Sequence, residues 1–229
     1  NLRANGIEDL GSLGPRGFGL AGYPTHPWVD VYFNDQPGTL ARWPNDGFVN
    51  IKGLTSGAGD SGQGKPGTWT VEGRPLTWDP GNEIWMYGYW RYLWAGTMIR
   101  VASIDRNTGR LTTAGGSNYG FADGMPYYFF NVLEELDQPG EWYLDRKTGV
   151  LYLYPPGDVA QLRVTLPVLS APFIRTKDTS FVRFVKLTFE CGRAEGVVID
   201  GGTDAALLGC RILRLGTNGV VILTGQNTW

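Results

Sequence analysis

The sequence predicts an all-β protein in which a β-rich module precedes a β-solenoid. The first observation is a repeat: the segment Gly196–Ile199 (Gly-Val-Val-Ile) returns as Gly219–Ile222, 23 residues later. Such a period, built from short apolar runs separated by Gly, Asn and Asp, is typical of a solenoid, whose rungs must stack to bury their apolar faces. The second observation is the composition: 34 Gly, 14 Pro and 13% aromatic residues favour short strands and tight turns over helices.

The repeat extends beyond this segment in both directions. One copy upstream, Val197 corresponds to Ile174, and the same offset relates Phe189 to Ile212. The pattern begins near residue 157 and is still running at Trp229, so we expect the chain to be the N-terminal part of a longer protein. An open last rung would present an unpaired apolar edge, which favours self-association through that edge.

Ahead of the rungs, the chain divides into two further segments. Residues 1–27 are rich in Gly and Pro and are predicted to be an irregular lead-in. Residues 28–156 are predicted to form an inserted β-rich module, a barrel or a sandwich, and residues 157–229 form the solenoid rungs. Within the module, the runs Trp28–Phe33 and Thr39–Pro44 flank an Asn-Asp-Gln-Pro-Gly turn, which predicts a hairpin.

Two more predicted hairpins share one kind of turn. Asp105–Gly109 (Asp-Arg-Asn-Thr-Gly) and Asp145–Gly149 (Asp-Arg-Lys-Thr-Gly) each follow a β-type run. The Asp carboxylate can accept hydrogen bonds from the next backbone N–H groups, and the Gly can take a positive φ. Between the two turns, residues 131–136 predict a short helix, whereas the Gly- and Ser-rich residues 55–67 predict a mobile loop.

Charge and composition exclude several kinds of partner. The 20 Lys and Arg residues balance 22 Asp and Glu residues without clustering, so no nucleic-acid partner is expected. No apolar run approaches the roughly 20 residues that span a bilayer, so no membrane partner is expected. His26 is the single histidine, which excludes His-pair catalysis and His-rich metal sites. We therefore expect neither a bound metal nor a cofactor.

The two cysteines, Cys191 and Cys210, do not stack on each other in the 23-residue register. Both are in phase with inward-facing positions, so we expect two buried free thiols; a disulfide is the alternative. Because the pattern is compatible with either state, the cysteine content leaves the cellular compartment open.

The longest recognisable motif is Phe129–Asp145 (Phe-Phe-Asn-Val-Leu-Glu-Glu-Leu-Asp-Gln-Pro-Gly-Glu-Trp-Tyr-Leu-Asp). With Phe33–Pro37, Leu40–Asn45, Asp9–Gly11 and Pro15–Gly19, it resembles bacterial carbohydrate-active proteins with right-handed parallel β-helix repeats, among them glycoside hydrolase family 141. The resemblance implies a β-rich module inserted near the start of a right-handed parallel β-helix. It also implies a secreted or periplasmic glycoside hydrolase that degrades polysaccharide.

The same resemblance places the catalytic acids outside this sequence. Members of the family are far longer, and their catalytic acids are expected in later coils of the β-helix, which would follow Trp229. No position of this chain therefore receives a catalytic role. Whether these 229 residues act as an enzyme by themselves stays open.

The acidic residues that are present do not form an obvious catalytic pair. Glycoside hydrolysis needs two carboxylates about 5–5.5 Å apart for retention or about 6.5–9.5 Å apart for inversion. In the 23-residue register no acid stacks on another acid, although Glu190 and Asp200 could converge across a rung. Glu134 and Glu135, adjacent on a predicted helix, point about 100° apart, so we expect them to be solvated or to stabilise the helix.

An aromatic run supplies the candidates for substrate binding, because sugar rings stack on flat aromatic side chains. The four candidates are Trp85, Tyr87, Tyr89 and Trp90. On a strand, Trp85, Tyr87 and Tyr89 share one face. That face either holds a poly- or oligosaccharide or fills the core of the module, as large residues do in a small barrel. Trp43 and Trp94 have the same two interpretations.

Two other functions are open on the sequence. A polysaccharide lyase on the same scaffold would place Lys or Arg side chains near a uronate, and the rungs offer Arg175, Lys177, Arg183, Lys186, Arg211 and Arg214. Alternatively, the chain is a non-catalytic carbohydrate-binding or structural module, which is what we expect of these 229 residues in isolation.

Overall fold

The computed structural model describes residues 1–18, 28–79 and 81–228, and His26 lies outside them. This part of the chain is all-β, as the sequence predicts. Its helical segments are 3-10 turns of three residues each: Arg3–Asn5, Asp60–Gly62, Arg74–Leu76, Leu133–Glu135 and Val159–Gln161. The helix predicted over residues 131–136 is one of these short turns. Within the described ranges, no helix has the length and apolar character needed to cross a membrane.

The strands follow one another in chain order. The first fourteen are β1 (Tyr32–Phe33), β2 (Gln36–Pro37), β3 (Thr39–Leu40), β4 (Arg42–Trp43), β5 (Val49–Asn50), β6 (Lys52–Ser56), β7 (Pro66–Thr70), β8 (Trp85–Tyr89), β9 (Gly96–Asp105), β10 (Arg110–Gly116), β11 (Pro126–Phe130), β12 (Glu141–Asp145), β13 (Val150–Leu153) and β14 (Val164–Thr165). The later ones are β15 (Ile174–Lys177), β16 (Arg183–Val185), β17 (Thr188–Gly192), β18 (Val197–Thr203), β19 (Ala206–Leu208), β20 (Arg211–Leu215) and β21 (Val220–Gln226).

The described residues form two compact units, each assembled from separated parts of the chain. One unit, which we call the ladder unit, contains residues 1–13, 28–38 and 159–228. The other, the sheet unit, contains residues 14–18, 39–79 and 81–158. The N-terminal lead-in therefore contributes residues to both units.

The sheet unit is built on an antiparallel sheet with the strand order β4-β11-β8-β9-β10-β7-β6. β5 pairs with β11 near one edge of this sheet, and β6 pairs with β7 at the other edge. Because Ile51 is the one residue between β5 and β6, the segment 49–56 joins the two edges, and the sheet is curled. A smaller sheet in the same unit, β13-β12-β3, includes the parallel pair of β3 with β12.

Alternation along the strands gives the curled sheet an aromatic core. Its fully buried members include Trp69, Trp90 and Phe121. Trp69 Nε1 donates a hydrogen bond of 3.0 Å to the Tyr127 hydroxyl, so these two polar atoms satisfy each other inside the core. Gly88 leaves the space that these rings need, because a Cβ at this position would lie 2.7 Å from Cβ of Tyr127.

The two hairpins with Asp-initiated turns are confirmed. β9 pairs with β10, and β12 pairs with β13, both antiparallel. Asp105 Oδ1 accepts hydrogen bonds from the backbone N–H groups of Asn107 (2.9 Å) and Thr108 (3.3 Å), and Gly109 has a φ of 68°. The carboxylate and the glycine therefore close the turn in the way that the sequence predicts.

The hairpin predicted between Trp28–Phe33 and Thr39–Pro44 is wrong in its second strand. β1 turns back into β2, across Asn34 and Asp35, which both have a positive φ. β3 instead pairs with β12 of the sheet unit. The turn therefore brings the chain back at Gln36 rather than at Thr39, where the composition of the segment predicts the second strand.

The ladder unit contains three sets of parallel strands, β15-β18-β21, β16-β19 and β17-β20. The 23-residue offset of the sequence is their register: Val197 lies beside both Ile174 and Val220, and Phe189 lies beside Ile212. Equivalent side chains of the repeat therefore stack, and the fully buried Val197 and the nearly buried Phe189 belong to the core of this unit.

A buried guanidinium holds the N-terminal segment of the ladder unit. Arg193 is completely buried, and it donates hydrogen bonds to the Asp9 backbone oxygen (2.8 Å) and to Asp9 Oδ1 (3.2 Å). Leu10, the residue after Asp9, is buried as well. The two cysteines, Cys191 and Cys210, are free thiols as predicted, although both are half-buried rather than fully buried.

Candidate functional site

The four aromatic candidates from the sequence lie on β8 and directly after it, on opposite sides of the sheet. Trp85, Tyr87 and Tyr89 share one face, and Trp90 belongs to the core on the other. Tyr87 and Tyr89 are half-exposed, whereas Trp85 is 5% and Trp90 is 0% exposed. The interpretation of the shared face as the core is therefore wrong for Tyr87 and Tyr89, because the core of the sheet unit lies against the opposite face.

Trp90 has no surface on which a ligand could stack. Its ring packs against Phe121 and Trp69, with centroid distances of 5.5 and 6.1 Å. Its Nε1 donates a hydrogen bond of 2.8 Å to Thr97 Oγ1. Because both the ring and its polar atom are satisfied inside the core, Trp90 supports the fold of the site rather than its surface.

The half-exposed tyrosines of β8 form a continuous aromatic surface with residues from other strands. Tyr87 lies 5.6 Å from Tyr89 and 5.7 Å from Tyr128, measured between ring centroids. Phe48 closes the group, 6.0 Å from Tyr89 and 5.7 Å from Tyr128. We call these four residues (Phe48, Tyr87, Tyr89 and Tyr128) the tyrosine face.

Polar groups are placed within this aromatic surface. The Arg42 guanidinium carbon lies 3.8 Å from the centroid of the Tyr128 ring, a cation–π contact that adds hydrogen-bond donors beside the ring. Burial, together with a hydrogen bond to Tyr89, raises the pKa of Tyr87 to about 12. The Tyr87 phenol is therefore neutral at ordinary pH, and its oxygen can still accept a hydrogen bond.

A glycine beneath the tyrosine face sets the position of two of its rings. Gly96 of β9 lies directly opposite Tyr89 of β8. A Cβ at Gly96 would lie 2.8 Å from Cζ of Tyr87 and 3.1 Å from Cε1 of Tyr89, closer than van der Waals contact. Both rings therefore rest on the glycine backbone, and any side chain there would displace them.

Trp85 lies on the same side of the sheet as the tyrosine face, but it is covered. Its Nε1 donates a hydrogen bond of 3.1 Å to Glu83 Oε1. Trp85 lines a cavity of about 320 Å³, together with Met98 and Arg100, the cross-strand partners of Tyr87 and Trp85. Trp85 is therefore placed to contact only a ligand that enters this cavity.

A second exposed aromatic group lies at the turn between β8 and β9. Tyr92 and Trp94 are stacked, with ring centroids 5.5 Å apart and planes inclined by 9°. Phe18 meets Trp94 edge-on at 4.9 Å, and Tyr119 lies 5.3 Å from Trp94. Trp94 is 58% exposed, so of the two interpretations given for it, the core is wrong. We call these four residues the turn cluster.

Trp43, the other tryptophan with two interpretations, is half-buried. Its ring meets those of Trp78 (6.0 Å) and Phe129 (6.1 Å) at the border of the core. It therefore combines a packed side with an accessible side.

The adjacent acids of the long motif differ in burial: Glu134 is exposed, as expected, whereas Glu135 is buried, which corrects its expected role. Glu135 is buried, and its Oε1 accepts hydrogen bonds from Trp78 Nε1 (2.6 Å) and Arg74 Nε (2.9 Å). Glu134 Oε1 accepts one from the Asp79 backbone N–H (2.6 Å). Burial raises the pKa of Glu135 despite the Arg74 guanidinium. The buried Glu135 carboxylate therefore fastens a loop of the sheet unit, while the exposed Glu134 carboxylate adds one hydrogen bond at the surface.

The rung acids Glu190 and Asp200 have separate partners. Glu190 Oε2 forms an ion pair of 2.6 Å with Arg214 Nη2. Asp200 Oδ1 accepts a hydrogen bond of 3.3 Å from the Thr224 hydroxyl. Arg214 also forms an ion pair of 3.5 Å with Asp35. One of the cationic side chains that a lyase would use is therefore already paired with carboxylates. Over the described ranges, no cluster of His, Cys, Asp and Glu side chains is arranged to hold a metal ion.

Phe48 and Tyr128 are the members of the tyrosine face that the sequence does not identify. They come from outside the aromatic run of β8, and the pairing of β11 with β8 brings Tyr128 opposite Tyr87. A regular alternation in Pro126–Phe130 is the one available signal, because it places Tyr128 on the face opposite to the core residues Tyr127 and Phe129. The order of the strands was not accessible from that pattern.

Comparison with known proteins gives a likeness of fold. No family model and no curated protein matches this sequence. A solved structure with the printed name "Glycoside hydrolase" is similar to the chain, with a TM-score of 0.66 and 16% sequence identity. The alignment covers 90% of this chain and 48% of that chain, so the chain spans about half the length of the structure that it matches. The likeness shows that the chain shares the fold of part of that structure.

Proposed function

We propose that this chain is the N-terminal part of a secreted or periplasmic glycoside hydrolase that degrades polysaccharide, and that its tyrosine face binds the polysaccharide. The observation that carries the proposal is the tyrosine face itself. It offers adjacent rings for the apolar faces of sugars, with the Tyr87 hydroxyl oxygen and the Arg42 guanidinium, whose Nε and Nη2 donate to Pro44 and Gly47, as polar groups beside them. The likeness to a solved structure named as a glycoside hydrolase supports the same class of ligand.

We infer that the parallel strands of the ladder unit belong to a right-handed parallel β-helix. The 23-residue register of β18 against β15 and β21 supports this architecture. So does the requirement that each rung bury its apolar side chains against the next. The family resemblance of the Phe129–Asp145 motif supplies the handedness and places the catalytic acids in other coils of such a helix.

A non-catalytic role is the second candidate for these 229 residues. The observation that favours it is the engagement of the acids: Glu135 and Glu190 are bound to arginines, and Glu141 is bound to backbone N–H groups. The buried Glu135 and Glu141 cannot leave their partners to protonate or attack a glycosidic bond without breaking the local structure, and Glu190 forms an ion pair at the surface. In this case the chain would bind the polysaccharide while another part of the protein cleaves it.

Binding to polysaccharide tests the proposed function. We expect the protein to be retarded in gels that contain a suitable soluble polysaccharide, with xylan, glucomannan, pectin and β-glucan as the panel. Replacement of Tyr87 or Tyr89 by alanine removes a stacking ring and is expected to weaken the affinity about tenfold, or about 1.4 kcal/mol. Affinity electrophoresis and calorimetry measure the change.

Tyr152→Ala is the matched control for this test. Tyr152 is 39% exposed and lies on β13, in a different sheet from the tyrosine face, so its loss should leave the affinity unchanged. If the Tyr87→Ala and Tyr89→Ala variants bound every polysaccharide as tightly as Tyr152→Ala, the tyrosine face would not be the binding surface.

We also propose that the isolated 229-residue chain self-associates through β21. Val197 and Ile199 are completely buried, whereas their equivalents in the next rung, Val220 and Ile222, are 41% and 52% exposed. We expect the mass measured by sedimentation to rise with protein concentration, and an Ile222→Lys variant to remain monomeric, since a charge on the exposed edge opposes pairing. A wild-type monomer at all concentrations would contradict this.

A further inference from the structure

A pocket opens where the segment 49–56 joins the two edges of the curled sheet. At this point β5 is paired with β11 and β6 with β7, so the residues around Ile51 bridge two strands that do not pair with each other. The gap holds a cavity of about 360 Å³. We call it the seam pocket. Its volume lies at the lower end of the range of small-molecule sites, which is about 300–1,000 Å³.

Four polar side chains line one part of the seam pocket. Lys52 lies directly opposite Thr70 in the pairing of β6 with β7. Asn50 and Glu72 are each two residues away along the chain from one of these, which places them on the same side of an extended backbone. All four are exposed, and all four line the cavity. The polar groups therefore converge because of strand register.

Lys52 and Glu72 have opposite charges, but neither is engaged by another side chain. In the part of the chain that the structure describes, no hydrogen bond or ion pair is made by the Lys52 ammonium or by the Glu72 carboxylate. They line one cavity without being in ion-pair contact with each other. A ligand that donates to a carboxylate and accepts from an ammonium can satisfy both groups.

Aromatic rings form another part of the wall. Trp43 presents its accessible side to the cavity, and Phe48 is 46% exposed at its rim. Phe48 also belongs to the tyrosine face, so the pocket and that face are adjacent. A ring wall with a few converging polar groups is the usual design of a site for a small polar ligand with apolar faces.

We propose that the seam pocket binds one or two residues of an uncharged sugar, such as the end of a neutral polysaccharide chain. The hydroxyl groups of the sugar bridge Lys52 and Glu72, and its apolar face lies against Trp43. An acidic sugar would be attracted by Lys52 but repelled by Glu72. An amino sugar would be attracted by Glu72 but repelled by Lys52. The two charges together therefore select against acidic sugars and amino sugars alike. The inference rests on the proposed function and assigns a substrate class to it.

Heteronuclear NMR titration of the full chain with glucose, xylose, mannose and galactose tests the pocket, with glucuronate and glucosamine as charged probes. We expect at least one neutral sugar to shift the Trp43 indole and Lys52 amide resonances. Lys52→Met and Glu72→Gln should each weaken that binding about tenfold, the loss that one charge-assisted hydrogen bond produces. The exposed Lys65→Met and Glu8→Gln variants serve as matched controls.

The charge variants should also change the selectivity in opposite directions. Glu72→Gln leaves a positive pocket and is expected to favour glucuronate over the neutral sugar, whereas Lys52→Met is expected to favour glucosamine. Preference of the wild-type protein for a charged sugar, or an absence of shifts at Trp43 with every sugar, would overturn the proposal. In that event, polysaccharide binding that still depends on Tyr87 and Tyr89 would leave the proposed function intact; its loss would remove both.

Discussion

Replacement of Trp90 by alanine is expected to lower the free energy of unfolding of the sheet unit by about 3–5 kcal/mol, the cost of removing a buried tryptophan from a packed core. The side chain is completely buried among Trp69, Phe121 and Tyr127. The variant also leaves Thr97 Oγ1 without the indole N–H that it accepts at 2.8 Å. Urea denaturation followed by far-UV circular dichroism measures the loss.

Tyr89→Ala is the control that separates a core role from a role in binding. Tyr89 precedes Trp90 in the sequence but lies on the opposite, half-exposed face of β8, so its replacement is expected to cost about 1 kcal/mol of stability. Polysaccharide affinity should fall in Tyr89→Ala. A Trp90→Ala variant that kept its stability and lost only affinity would contradict the placement of Trp90 in the core.

The contrast between these neighbours shows how far the sequence predicts the site. Alternation places Trp85, Tyr87 and Tyr89 on one face, and the structure agrees. It does not say which face is the core, because the other face, with Met86 and Trp90, is equally apolar. The core is the face of Met86 and Trp90, because Tyr127 and Phe129 of β11 pack against that face. That pairing joins residues about 40 positions apart, beyond the reach of a local pattern.

The register of the repeat was predictable up to Ile199 because it needs no such long-range information. Each rung packs on a neighbour of nearly identical pattern, so the 23-residue offset directly gives the partner of Val197 or Phe189. Where a bulge interrupts the strand, the rule fails: Asp200 lies beside Thr224 rather than Leu223. The turns at Asp105 and Asp145 were equally predictable, since the residues that close them are adjacent in sequence.

The buried acids could not be identified, because their partners are set by tertiary structure. Glu135 and Glu141 lie in the Phe129–Asp145 motif, where an acid in a short helix or at a strand start suggests exposure. Glu135 is buried against Arg74 and Trp78, which are distant in sequence. Arg74 lies in the 3-10 turn Arg74–Leu76, and Trp78 follows that turn by two residues. The motif that carries the family resemblance therefore preserves the fold of the sheet unit.

Glu141→Ala is expected to destabilise the sheet unit by about 3 kcal/mol, because it removes the acceptor of three backbone N–H groups. Glu141 is buried, and its Oε2 accepts hydrogen bonds of 3.0 Å from both Asp137 and Gln138, while its Oε1 accepts one of 3.4 Å from Arg42. The carboxylate thereby joins β4 to the loop before β12. Chemical denaturation measures the cost, with the exposed Glu8→Ala as a control that should remain within about 0.5 kcal/mol of wild type.

The pH dependence of this cost distinguishes a titrating carboxyl from a merely well-packed side chain. Burial raises the pKa of Glu141 above its ordinary value of 4.5, although hydrogen bonds from Gln138, Asp137 and Arg42 oppose the change. At pH values between the pKa of Glu141 in the unfolded chain and its higher pKa in the fold, the folded protein binds one more proton than the unfolded chain. The stabilisation by this proton is therefore complete well below pH 4.5, and it is lost as the pH rises through the pKa of the folded state. The destabilisation by Glu141→Ala should therefore be larger near pH 4.5 than at neutral pH. A cost that grew with pH would mean that the three N–H groups outweigh burial and that the carboxylate is the preferred form in the fold.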